Sequence, residues 1–126
     1  MALDNSPHYK FPFEKLEIWE LAIGLSVRIY KITQDFPQSE KFGITNQLRR
    51  AANSVSANIA EGSGRLSVKD KANFFQVSYS SLLEVLNFLI ISEKLGFITN
   101  QILEDQREMI SELSNKINAY HKKLKT

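Results

Sequence analysis

The chain has 126 residues, of which 43% are hydrophobic and 24% charged, a formal net charge of +2 and no cysteine. It is the size of one ordinary domain, long enough to bury a core without cross-links and too apolar to stay disordered. The missing cysteine excludes disulfide frameworks, zinc knuckles, iron–sulfur clusters and thiol catalysis together.

Residues 1–7 show no basic patch followed by an apolar run, so no secretory signal is expected. Pro12 precedes a first helix at about 14–35, and Pro37 closes it by keeping residue 36 out of helical backbone angles. Gly43 precedes a second helix at about 44–61, with Gly62 as its end and Gly62-Ser63-Gly64 as a turn. Ser67-Val68-Lys69-Asp70 fits a capping box, in which hydroxyl and carboxylate each bond an orphan amide. A third helix then runs over about 67–95, with Gly96 as its C-terminal cap. Thr99 caps a fourth, over about 99–124. No segment alternates with the two-residue period of a strand. The expectation is a single all-α domain of four helices over 1–126. The longest near-apolar run, Leu82 to Ile91, is broken by Glu84 and Asn87 and falls short of the roughly 20 residues of a bilayer span. A cytoplasmic protein with no membrane partner follows as the default expectation.

The fourth helix carries one seam at 3-4 spacing: Leu103, Gln106, Ile110, Leu113, Ile117, Tyr120 and Leu124. The first helix carries two. Leu16, Trp19, Ile23, Val27 and Tyr30 form one stripe, and Ile18, Leu21, Ala22, Leu25, Ile29 and Ile32 form another roughly opposite. In the third helix Leu82, Leu83, Val85, Leu86, Phe88, Leu89, Ile90 and Ile91 point nearly all round. A helix apolar on two sides must be buried on two sides, and each helix of a four-helix bundle normally keeps an outer face. The surplus predicts a homo-oligomer whose interface includes Leu16, Trp19, Ile23, Val27, Tyr30, Phe88 and Ile91, since large apolar patches are rare on monomers.

On the second helix, Gln47, Arg50, Ser54, Asn58 and Glu61 fall within an arc of about 80° beside the apolar stripe of Ile44, Leu48, Ala51, Ala52, Val55 and Ile59. Two readings compete. One is a partly buried polar network fixing register, with Glu84 from the third helix as partner for Arg50. The other is a phosphate-binding surface formed by Arg49, Arg50, Arg65 and Lys69. Arg50, beside the core, suits the first; Arg49, projecting about 100° from the apolar stripe, is the better external candidate. Charge is also blocked along the chain. Residues 42–71 carry a net +3, 72–112 a net −4, and 113–126 a net +4 from Lys116, Lys122, Lys123 and Lys125. The basic tail is read as complementing a helix dipole.

Gln47-Leu48-Arg49-Arg50-Ala51-Ala52, Ser54-Val55, Asn58-Ile59-Ala60-Glu61-Gly62 and Arg65 together resemble the signature of the 23S ribosomal RNA intervening-sequence proteins. Phe13-Glu14-Lys15-Leu16 with Trp19, Phe36-Pro37 with Glu40 and Phe42-Gly43, and Ser81-Leu82 with Glu84 extend the resemblance over about residues 13–98. Members often have proline where this chain has Ser56. The resemblance implies an antiparallel up-down four-helix bundle, a ring-like homopentamer and a bacterial setting, and suggests RNA or ribosome association. The family is also similar to basic pentameric bundles that assist the reverse transcriptases of diversity-generating retroelements, and this chain is less basic than that role favours.

Catalysis is not expected. The histidines are His8 and His121, no Glu-x-x-His pair suggests a di-iron site, and no phosphate-loop or dinucleotide motif occurs. Glu61 and Glu84 as an acid pair are better read as structural. No cofactor or metal is expected. Two functions remain: an RNA-associated homo-oligomer recognising shape or backbone, for lack of a base-stacking motif, and a scaffold or protein-interaction module.

Overall fold

A computed structural model describes residues 9–124; residues 1–7, read above for a signal, lie outside them, as do His8 and Lys125. The described residues form α1 (Glu17–Thr33), α2 (Ile44–Ser63), α3 (Val68–Lys94) and α4 (Asn100–Leu124), with short 3-10 turns at Pro12–Lys15 and Gln38–Glu40.

Local chemistry sets most boundaries. The first helix starts later than its pattern suggested. Pro12 opens a separate 3-10 turn, in which the Glu14 carboxylate accepts the Phe11 amide at 2.9 Å, and Leu16 is extended between the two helices. Ser67 Oγ accepts the Asp70 amide at 3.1 Å, opening α3. Only this half of the capping box forms, because aspartate is one methylene shorter than the glutamate that reaches back. Gly96, at φ +79, ends α3 in a Schellman cap: Phe97 N donates to Ser92 O at 2.8 Å and Gly96 N to Glu93 O at 3.0 Å. Thr99 Oγ1 caps α4 by accepting the Ile102 amide at 3.1 Å.

Gly62 does not end the second helix. It is buried inside α2, which continues to Ser63 and is capped by Gly64. A Cβ at residue 62 would lie 2.8 Å from Phe74 Cβ. The glycine is there for close approach of α2 and α3, not for a turn.

Contacts between helices run in opposite sequence directions. Tyr30 and Thr33 of α1 meet Asn53 and Arg49 of α2. Ser54, Val55 and Gly62 of α2 meet Ser81, Ser78 and Phe74 of α3. Phe75 of α3 meets Tyr120 of α4, and Glu17 and Gly24 of α1 meet Lys116 and Met109 of α4. The bundle is therefore antiparallel and up-down. Each helix packs on the next and α4 closes on α1, so α1 and α3 stand diagonally across the shared core.

Leu25, Ile29, Leu48, Val55, Ile59, Phe75, Leu82, Leu89, Leu113 and Ile117 are fully buried at the centre. Burying one such side chain contributes about 1.5–3 kcal/mol. The second stripe of α1 is the core stripe. Its first stripe divides: Leu16 and Trp19 lean on the core, and Ile23, Val27 and Tyr30 remain 36%, 48% and 40% exposed. α3 has the length and apolarity of a membrane-crossing helix, which the interrupted run Leu82–Ile91 did not suggest. Its packing explains part of that apolarity: about 33% of the stretch is buried, with Phe75, Leu82, Val85 and Leu89 filling the bundle interior. Val77, Leu83 and Ile91 stay exposed on its outer side.

Candidate interaction surfaces

The polar stripe of α2 does not form one network. Its centre is bonded: Asn58 Nδ2 donates to Ser54 O at 2.8 Å and to Ser54 Oγ at 3.0 Å, and Ser54 Oγ meets Ser81 Oγ at 2.8 Å. Its ends are not tied in. Gln47 and Arg50 are exposed, and Glu61 turns along its own helix toward Arg65, 3.8 Å away. Arg50 and Glu84 make no ion pair. They face one another across an open cleft of about 500 Å³ that Phe42, Asn46, Gln47, Ala51 and Ser54 also line. The expected Arg50–Glu84 bond does not form: both side chains are exposed to solvent along the cleft, where an ion pair gains little.

The surroundings of Arg49 and Arg50 are the reverse of what their angles suggest. Arg49 Nε donates to Thr33 Oγ1 at 2.8 Å, its terminal nitrogen reaches Tyr30 O at 3.5 Å, and its guanidinium lies 4.6 Å from the Tyr30 ring centre. It caps the C-terminus of α1, where a cation meets the negative end of the helix dipole. Nearby, Asn53 Nδ2 donates to Tyr30 Oη at 2.9 Å. Arg50 is the more exposed of the two.

The four candidate cations do not converge. Arg49 and Arg50 sit in the first half of α2, and Arg65 follows its end, roughly 20 Å further along the bundle at 1.5 Å per residue. Arg65 lies 4.5 Å over the Phe74 ring. Lys69, the second residue of α3, lines a cleft with Asn73, Gln76 and His121 of α4. The fold adds cations to this end. Lys15 and Lys123 line a neighbouring cleft, and Lys10 is exposed beside the first 3-10 turn. Antiparallel packing has brought the basic blocks of α2–α3 and of the α4 tail to one end of the molecule. Lys116 bonds Glu17 at 2.8 Å, and that bond raises its pKa above the usual lysine value of 10.5.

A further feature at the same end escaped the sequence reading. Tyr9, Phe11, Phe13 and Trp19 form a continuous ladder with ring centres 5.5, 6.4 and 5.2 Å apart. The signal was the two-residue alternation of aromatics at 9, 11 and 13. Among the described residues, no three of His, Asp and Glu come together as a metal site, and His121 stands at the end of α4 beside Lys69 rather than beside a second proton carrier.

These features define a small antiparallel four-helix bundle whose distinctive surfaces are two apolar sides, on α1 and α3, and a cationic end. The family model for the 23S rRNA-intervening sequence protein matches residues 14–119, and the chain belongs to that family. A crystal structure of a Bacteroides thetaiotaomicron protein of unknown function from the S23 ribosomal protein family superposes with a TM-score of 0.75. It is 21% identical and covers 83% of this chain and 98% of its own, a likeness of fold. A comparison with curated proteins finds no match.

Proposed function

We propose that the chain is a non-enzymatic, cytoplasmic building block: a ring-like homopentameric bundle that associates with ribosomal RNA through contacts to the phosphate backbone. One observation carries the assembly reading. After the core is complete, apolar side chains remain exposed on two helices that stand diagonally: Ile23, Val27 and Tyr30 on α1, and Leu83 and Ile91 on α3. A single self-complementary contact covers one patch on both copies and leaves the other bare. A head-to-tail contact, α1 side against the next copy's α3 side, covers both, and a rotation between copies that closes on itself makes the ring rather than an open filament. Leu16, Trp19 and Phe88, half-buried already, would contribute at the margins.

The RNA part of the reading is supported by the family's description and by the cations at one end, with Arg65 and Lys69 as the phosphate contacts. Arg49, committed to Tyr30 and Thr33, is left out of it. Light scattering coupled to size exclusion, with and without ribosomal RNA at low and moderate salt, tests both parts. The expected result is a five-subunit particle that takes up RNA and releases it steeply as salt rises. A monomer at micromolar concentration refutes the assembly. A defined oligomer indifferent to RNA at low salt leaves a scaffold, a reading favoured by the separation of Arg49 and Arg50 from Arg65 and Lys69.

A further inference from the structure

We infer that Tyr9 and Phe11, beside Arg65, form a stacking site for the bases of single-stranded RNA; this rests on the RNA reading above and names where and in what form the RNA binds. The inner rings of the ladder are anchored. Phe13 is half-buried and meets Trp19 edge to face at 72°, and Trp19 packs on the core. The outer rings are displayed: Tyr9 is 72% and Phe11 58% exposed. Neighbouring rings cross at 89° and 44° rather than stacking flat, so each contact covers at most one face of a ring and the outer rings keep much of their surface open. Phe11 is held in position, since its amide is bonded to Glu14 and its backbone is extended.

Behind these rings lies a cleft of about 430 Å³, walled by Phe11, Phe13, Ala60, Ser63, Gly64 and Arg65. The Arg65 guanidinium is fixed by Phe74 and Glu61 while its side chain stays 46% exposed, so it is preorganised at the rim. Lys10 and Lys15 flank the ladder residues in sequence; Glu14 accepts the Phe11 amide, Glu61 pairs with Arg65 and Glu17 with Lys116. Exposed ring faces with cations alongside are what an unpaired strand needs: every base offers a π-face, and the cations follow the backbone. A duplex keeps its bases stacked inside and cannot use the rings. A protein surface without acidic groups would gain from the rings but not from the neighbouring cations.

The test is fluorescence anisotropy of a labelled ten-nucleotide oligouridylate and of an RNA hairpin duplex of equal charge, with the full chain. Wild type is expected to prefer the single strand. Tyr9→Ala and Phe11→Ala are each expected to weaken it roughly 5- to 150-fold, the range for losing one stacked base. Phe11→Leu keeps the apolar volume but removes the π-face and is expected to weaken binding as well, while Phe11→Trp preserves it. Arg65→Gln is expected to reduce the salt slope by about 0.7. Variants that bind the oligouridylate as wild type does overturn the stacking site and leave the RNA reading standing. Wild type that binds neither RNA overturns both. A lower subunit number for the Tyr9→Ala/Phe11→Ala variant shows that the rings are a subunit contact and also overturns the proposal.

Discussion

Replacing Gly62 by alanine should destabilise the protein, although the site is inside a helix where alanine is normally the better residue. Two terms compete. Removing a glycine from a helix interior contributes about 0.5–1 kcal/mol of stability. Against this, the new Cβ would lie 2.8 Å from Phe74 Cβ and 3.5 Å from Lys71 O. Carbon atoms prefer 3.5–4.0 Å, so the pair must retreat by roughly 0.7–1.2 Å. Phe74 Cβ is attached directly to the α3 backbone and cannot swing aside as the end of a long side chain would. The helices must part along the contact where Ser78 Oγ bonds Val55 O at 2.8 Å and Ser54 meets Ser81. Overpacking of this kind costs about 1–3 kcal/mol. The clash wins, with a net loss of about 1–2 kcal/mol and a Tm lower by roughly 3–8 °C.

Gly64 supplies the control. It has right-handed backbone angles (φ −89, ψ −4), and a Cβ there would meet only Glu61 O at 3.7 Å, an ordinary contact. Gly64→Ala should therefore stabilise by about 0.4–1 kcal/mol through the unfolded chain. Urea unfolding followed by circular dichroism, at one protein concentration for all variants, measures the difference. A Gly62→Ala protein as stable as Gly64→Ala would refute the close-approach argument.

Arg49→Lys should lower stability by about 1–2 kcal/mol, because an ammonium cannot both bond Thr33 and lie flat over Tyr30; a double-mutant cycle with Tyr30→Leu should show the two changes coupled. Gln106→Leu should raise stability by about 1 kcal/mol in urea unfolding, since Gln106 is buried in the α4 seam with Oε1 unbonded. Lys116→Met should cost the same at pH 6 and pH 9. Its folded pKa is raised, so the contribution is complete below the unfolded value near 10.5 and is lost only as pH climbs through the folded one; a cost that changes between pH 6 and pH 9 would contradict this. Val27→Lys, on the exposed side of α1, should lower the subunit number in light scattering while leaving helix content unchanged.

Some of this was legible because the residues concerned answer to their own helix alone. The α4 seam is strictly one-sided, and every member from Leu103 to Ile117 is buried as its spacing requires. The Thr99 and Gly96 caps depend on local hydrogen bonds and were equally readable. Gly62 was not, because between Ser63 and Gly64 it looks like punctuation, and only the approach of Phe74 shows why it is small. The surroundings of Arg49 and Arg50 are not legible for a similar reason. Their angles on α2 follow from sequence, but which neighbour stands at each angle depends on how α1 and α3 cross it. Tyr30 and Thr33 happen to stand beside Arg49, and an open cleft stands beside Arg50. In sequence the basic tail is only a helix-dipole complement; the up-down course of the chain brings it next to Lys15 and Lys69.

The two proposed surfaces lie on different parts of the bundle, and that separation has a measurable consequence. The apolar residues lie along the sides of α1 and α3, whereas Tyr9, Phe11, Arg65 and Lys69 lie at one end. Copies packed side against side leave their ends open, and rotation about an axis along the bundle would set those ends on one rim. Each end then presents a weak site to the same RNA, and linked weak sites gain avidity of about 10²- to 10⁴-fold without any new contact. Val27→Lys should therefore leave binding of a ten-nucleotide strand, too short to bridge subunits, within about twofold of wild type. It should weaken a long single strand by one to several orders of magnitude, since linkage is lost while each site survives. Equal losses on the short and long strands would mean that the α1 side itself touches RNA, and the division between an assembling side and a binding end would have to be abandoned.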